Sequence, residues 1–135
     1  MNLDNKIIIM KTILVDAAGT FVVNAVIDNK LHKLLESYQN KKIILTNAND
    51  EQLITFGLVD MPYEMFTLKH NPDKVDPVYF QKMLEHFNLK AEDCIYFEHT
   101  PAAVESAKSV GITSYHFDEQ QRDLDALQKF LDSNL

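Results

Sequence analysis

The stretch Thr12-Ile13-Leu14-Val15-Asp16-Ala17-Ala18-Gly19-Thr20 decides the fold class of this chain. A β-rich aliphatic run delivers an aspartate to a tight turn, and a Gly-Thr pair follows it. In open parallel α/β sheets, ligands bind beyond the carboxyl ends of the strands, so an acid at that place is a candidate for chemistry. The run reaches upstream: Ile7 to Val15 is nearly continuous aliphatic sequence broken by Lys11. That is the composition of a central parallel strand covered on both faces.

Downstream, strands and helices alternate. Phe21-Val22-Val23 and Val26-Ile27 flank Asn24-Ala25 and predict a small hairpin. Asp28 caps a predicted helix through about Asn40, with Leu31, Leu34, Leu35 and Tyr38 on one face. Ile43–Leu45 is a second buried strand running into Thr46-Asn47, and Asp50–Phe56 a short helix stopped by Gly57. Glu64–Leu68 is a third strand, and Pro77–Phe87 a helix with proline in its first turn. Cys94–Phe97 is a fourth strand, followed by a helix over Pro101–Val110 that Gly111 ends. Ile112–Phe117 is a fifth strand and Asp118–Leu131 a terminal amphipathic helix, the acids of Asp118–Asp123 lying at its start. Such alternation with short joints predicts an α/β fold: a five-stranded parallel sheet flanked by helices, the Ile7 strand central between the second and fourth. The 135 residues fit one domain spanning 1–135, with enough chain to bury a core.

Composition narrows the function. A formal charge of −7 with no basic stripe argues against nucleic acid and against an anionic membrane surface as partners. No apolar run spans a bilayer and the start lacks a basic leader, so the expected compartment is the cytoplasm. A lone cysteine, Cys94, excludes an internal disulfide framework and reads as a buried, inert thiol. His32, His70, His86 and His116 are scattered and read as ordinary surface or half-buried residues.

Four segments at or just beyond predicted strand ends resemble, in order, the motifs of the haloacid dehalogenase (HAD) superfamily of phosphotransferases and hydrolases. Asp16-Ala17-Ala18-Gly19-Thr20 resembles its Asp-x-Asp-Gly-Thr; Leu45-Thr46-Asn47 its second motif; Lys74-Val75-Asp76-Pro77 its Lys-Pro-Asp-Pro; and Ile95 to Thr100 with the helix ending at Gly111 its fourth. The resemblance covers nearly the whole chain and implies a HAD-like, Rossmannoid three-layer sandwich. It implies Asp16 at the nucleophile position, Thr46, Asn47 and Lys74 as phosphate-binding groups, and Lys74 as the cation balancing nucleophile and phosphate.

It also implies losses. The family's general acid/base falls on Ala18, and its two metal-binding acids of the fourth motif fall on His99 and Ala103. Absence of a general acid typically costs about 10²–10⁴-fold in rate. Mg2+ prefers hard oxygen ligands, so His99 with Asp16 suits Zn2+, Ni2+ or Mn2+ better, and two protein ligands make a weak site. Glu98 neighbours His99 on a predicted strand end, where adjacent side chains diverge, and reaches the site only if the loop moves. Both places where the family inserts a cap are already filled by the predicted elements, which leaves an open, capless site.

The expectation is therefore a HAD-like protein with lost or severely reduced phosphatase activity, binding a small phosphorylated ligand or a protein partner and needing no cofactor. The alternatives are an active HAD-type hydrolase using Asp16 with an atypical metal or acid-base site, where Mg2+ would be the cofactor, and a structural or oligomerisation scaffold. A homo-oligomer is compatible with all three.

Overall fold

The computed structural model describes residues 10–135. Five strands form one all-parallel sheet: β1 (Thr12–Asp16), β4 (Lys42–Thr46), β5 (Glu64–Thr67), β6 (Cys94–Glu98) and β7 (Thr113–His116), in the order β5-β4-β1-β6-β7. The predicted central strand is central. Its proposed beginning at Ile7 to Ile9 lies outside the described residues, and Met10-Lys11 precede the strand. The strand gains Asp16 at the other end, paired with Leu45 of β4.

All five residues of β1 are buried, as are all five of β6, because helices cover both faces. On one face Ile13, Val15, Ile44, Ile95 and Phe97 pack with α1 (Asn29–Glu36) and α5 (Leu124–Asn134) through Leu31, Leu35, Leu127 and Leu131. On the other, Leu14, Ile43, Leu45 and Tyr96 meet α3 (Pro77–Phe87) and α4 (Pro101–Ser109) through Tyr79, Phe80, Met83 and Ala107. Cys94 lies in this second layer and donates weakly to the Lys90 carbonyl, and burial pushes its thiol up to about 12. Between β1 and β4 stand only a hairpin, β2 (Val22–Val23) with β3 (Val26–Ile27), and α1; between β4 and β5 stands only α2 (Asp50–Thr55). The sheet edge at the strand ends is therefore uncapped among the described residues. No described helix is long and apolar enough to cross a membrane.

Two helices differ from expectation. Asp28 caps α1 as predicted, accepting from the Lys30 and Leu31 amides, but the helix stops at Glu36 rather than running on to Asn40. There the Ser37 hydroxyl turns back onto the Leu34 carbonyl, Lys42 donates to the Tyr38 carbonyl, and Asn40 bonds the Lys11 carbonyl at 2.8 Å. These bonds satisfy the chain outside a helix.

The last helix begins at Leu124, not Asp118. Asp118 instead closes a turn onto the Gln120 and Gln121 amides, and Asp123 is the true cap, accepting from Ala126 at 3.0 Å. Arg122 breaks the helical pattern with φ +46°. Its guanidinium donates to the Gly19 and Thr20 carbonyls and to Asp28, 2.8 Å away, and lies over the Phe117 ring. A single-turn 3-10 helix, Ala91–Asp93, leads into β6.

Candidate functional site

A cleft of about 250 Å3 opens at the carboxyl ends of β1, β4 and β6. Asp16, Ala18, Thr46, Asn47, Lys74, Glu98, His99 and Ala103 all line it, so the residues singled out from the sequence converge on one place. The second reason for convergence, after strand order, is the loop into α3, where the Lys74 backbone N–H donates to Asn47 Oδ1 at 2.7 Å. That bond carries the lysine from the far side of β5 back over the end of β1.

At the floor, Lys74 Nζ lies 2.7 Å from Asp16 Oδ1 and 3.0 Å from Glu98 Oε1. All three groups are buried: Asp16 is 2% exposed, Lys74 4% and Glu98 1%. Asp16 Oδ2 accepts from the Thr20 hydroxyl at 2.6 Å and from the His99 backbone N–H at 3.2 Å, and His99 Nδ1 stands 2.5 Å away. Glu98 Oε1 also accepts from the Tyr96 hydroxyl, and Oε2 from the Thr100 amide at 3.0 Å. Every oxygen of both carboxylates is thus already engaged.

Glu98 and His99 both reach the cluster, contrary to the expectation that neighbours would diverge. Glu98 is the last residue of β6 and shares a face with Tyr96, whereas His99 lies beyond the strand and is freed from its pleat. The His99 ring then folds over Gly19, whose φ of +92° brings the backbone close. A Cβ at Gly19 would stand 2.7 Å from the ring.

The electrostatics follow from burial and pairing. Burial pushes the Asp16 carboxyl up, but the Lys74 ammonium and the His99 ring outweigh it and hold Asp16 well below the usual carboxylate range. Burial would lower Lys74, yet Asp16 and Glu98 keep it above its ordinary value. Burial and the Asp16 charge push Glu98 up against the pull of Lys74. The hydrogen bond to Asp16 raises His99, over the opposing cost of burial.

Asp16, Glu98 and His99 offer donor atoms within 4.8 Å of one another, the grouping expected of a metal centre. The donor chemistry does not fit Mg2+. One donor is an imidazole, and the carboxylate oxygens are taken by Lys74, His99, Thr20, Tyr96 and a backbone amide. A divalent ion would have to displace the ammonium that neutralises both acids.

Thr46, at the end of β4, accepts the Ala48 amide on its hydroxyl oxygen at 3.1 Å, which leaves its proton free to donate. Four cleft residues lie outside the segments that the sequence points to as a site: Ala48, Gln52, Phe56 and His70. Gln52 sits in a capping box with Asn49, and its Oε1 meets His70 Nε2 at 2.5 Å; His70 Nδ1 is 2.7 Å from Asp73 Oδ1. His70 is therefore a cleft residue, not an incidental surface histidine. The Asn49-x-x-Gln52 box was legible in principle, but nothing in the sequence brings His70 to it.

No protein-family model and no curated protein matches this chain. Solved structures do. A predicted HAD-like family hydrolase from Porphyromonas gingivalis superposes with a TM-score of 0.71 at 11% identity, over 92% of this chain and 98% of that one. A HAD-superfamily hydrolase of subfamily IA from Geobacter sulfurreducens PCA gives 0.64 at 10% identity, covering 79% and 86%. A HAD family enzyme from Bacteroides thetaiotaomicron, in complex with magnesium and inorganic phosphate, gives 0.60 at 13% identity, covering 79% and 93%. Sheet order, the cleft at the strand ends and these superpositions agree: the chain has the fold of the haloacid dehalogenase-superfamily hydrolases, with no cap among the described residues.

Proposed function

We propose that this chain is a HAD-like protein whose phosphatase chemistry is lost or severely reduced, and whose cleft binds a small phosphorylated ligand weakly. The observation that carries this is the engagement of both Asp16 oxygens: Lys74 holds Oδ1 while Thr20 and His99 hold Oδ2. A carboxylate nucleophile must present a free oxygen to the phosphorus, and this one is 2% exposed. Ala18 supplies no proton for a leaving oxygen, and no cap among the described residues excludes water from the cleft.

Binding is supported by what the cleft retains. Thr46 has a hydroxyl proton to give, Lys74 offsets the charge of the two buried acids, and Ala18 and Ala103 place methyls where carboxylates would repel an anion. The overall charge of −7 and the two buried acids keep affinity modest, about millimolar.

One feature favours the rival of an active hydrolase: Asp16 is held ionised with a histidine in contact, so base and proton carrier are adjacent. A phosphatase screen with Mg2+, Mn2+, Zn2+ and Ni2+, against an Asp16→Ala control, separates the two. Turnover near background with every metal is expected. Metal-dependent turnover that disappears in Asp16→Ala would establish the rival.

A further inference from the structure

Thr100 is the N-cap of α4, a place where a threonine hydroxyl usually accepts an amide of the helix's first turn. It makes no such bond. Its Oγ1 stands 3.4 Å from His99 Nε2 instead, and both residues line the cleft. The other ring nitrogen, Nδ1, is 2.5 Å from Oδ2 of Asp16, a carboxylate paired with the Lys74 ammonium and able only to accept. The ring proton therefore sits on Nδ1, which leaves the Nε2 lone pair to the Thr100 hydroxyl. Glu119 Oε2, at 4.0 Å from Nε2, is beyond hydrogen-bond reach.

Hydroxyl, imidazole and buried carboxylate thus stand in the order that activates an oxygen nucleophile. The ring is held in that pose. It rests on Gly19, and the His99 carbonyl accepts from His116 Nε2 at 2.9 Å. Thr20, the other hydroxyl beside the ring, is 0% exposed and donates to Asp16, so it steadies the acid and meets no ligand. A separation of 3.4 Å is long for a base and its nucleophile, as such pairs often are before substrate tightens them.

We infer that Thr100 is the nucleophile of an ester hydrolysis, with His99 as its base and Asp16 orienting the ring. This goes beyond the phosphate-binding reading and does not rest on it. His99 Nε2 takes the hydroxyl proton as Oγ1 adds to the ester carbonyl carbon. The tetrahedral oxyanion forms beside the N-terminus of α4, whose field favours negative charge. It collapses with cleavage of the bond to the alkoxy oxygen, which takes the proton from His99 and leaves as an alcohol. Water, entering a cleft with no cap among the described residues, then attacks the acyl-threonine by the same route. The carboxylic acid departs and the hydroxyl is restored. A cleft of about 250 Å3 holds a short acyl chain, and a neutral ester makes no demand on the Lys74 ammonium that both acids hold.

Two probes test this on the full chain: 4-nitrophenyl acetate for turnover, and an alkyl fluorophosphonate, which phosphonylates an activated hydroxyl with loss of fluoride. Turnover above the buffer rate is expected, and peptide mass mapping should place the phosphonate on Thr100. Thr100→Val should lose the adduct and cut turnover about a hundredfold or more, whereas Thr100→Ser should keep both. His99→Gln retains the hydroxyl and should slow labelling to a similar degree. In Asp16→Asn, Lys74 keeps the carboxamide oxygen and leaves the NH2 group facing His99. The ring proton should then move to Nε2 and labelling should fall. Nitrogen NMR of the ring reads that move, which a merely weakened fold would not produce.

A wild type that carries the phosphonate elsewhere, or nowhere, would overturn the inference. So would a Thr100→Val protein that hydrolyses the ester as fast as the wild type, since the reaction would then belong to surface lysines or histidines. A folded Thr100→Ser protein that takes no label would do the same.

Discussion

His99 Nδ1 lies 2.5 Å from Asp16 Oδ2, tying the end of β6 to the end of β1 across 83 positions of sequence. With the Lys74 ammonium on Oδ1, the contact explains how a carboxylate beside a second buried acid stays ionised. Two carboxylates, one ammonium and one imidazole form a cluster whose charges come close to cancelling, without any further ion.

The pairing makes stability depend on pH in a definite direction. His99 is raised above its ordinary 6.5 by the bond to Asp16. A histidine so raised adds stability that is fully present below its unfolded value and is lost as pH climbs through its folded one. The wild type should therefore lose stability relative to His99→Gln on going upward from about pH 6.5. Urea melts of both proteins across that range check it, with the ring titration of His99 followed by NMR. A His99 that titrates at or below 6.5 would refute it.

Lys74 is the single cation between two buried acids, so its removal should be costly. Lys74→Met strands Asp16, and breaking a buried pair from one side typically costs about 3–5 kcal/mol. Glu98 can relieve its own share by taking up a proton, since burial and Asp16 already push it upward. Asp16→Asn in the Lys74→Met background should then return much of the loss, because the stranded charge is gone. Denaturant unfolding of the two singles and the double reads this directly. A double no more stable than Lys74→Met would show that the pair is not what holds this corner.

Strand order and the meeting of Asp16, Thr46, Lys74 and His99 were legible in the sequence, because each lies at or just beyond a strand end or in the loop that leads into a helix; the arrival of Glu98 was not. Period and turn chemistry are local signals, and parallel topology follows from their alternation. The errors arose where a distant partner overrides local preference. Asp118–Asp123 has an acidic, helix-starting composition, yet Arg122 is pulled out to bond the Gly19 and Thr20 carbonyls and Asp28. The same holds for Ser37 to Asn40, claimed by Lys11 and Lys42, and for His70, placed on the cleft by Gln52 and Asp73. Tertiary hydrogen bonds of this kind leave no periodic trace.

Gly19→Ala should disturb the cluster by pushing on the His99 ring. The new methyl would stand 2.7 Å from the ring, at a backbone φ of +92° that alanine adopts only under strain. The strain alone costs about 1–3 kcal/mol, and displacing the ring adds the loss of its bond to Asp16. In a His99→Ala background only the backbone part remains, so the two substitutions should be non-additive. A double-mutant cycle by urea denaturation gives the coupling. Strict additivity would mean that the ring does not rest on Gly19.

Restoring one missing acid should not restore catalysis. Ala18→Asp would supply a carboxyl group on the cleft wall, but both Asp16 oxygens would still be engaged by Lys74, Thr20 and His99. Mg2+-dependent turnover in Ala18→Asp should therefore stay at background. Adding His99→Asp and Ala103→Asp is a different experiment. It removes the ring from Asp16 Oδ2 and replaces imidazole by hard oxygen donors. Ala103 is buried, so its carboxylate is destabilising until a cation balances it. The triple variant should accordingly melt lower than the wild type without metal and gain stability as Mg2+ is added, by mass action. Turnover is to be sought only in a protein that shows that gain. Mg2+-dependent turnover by Ala18→Asp alone would mean that the salt-bridge cluster opens readily and does not block Asp16.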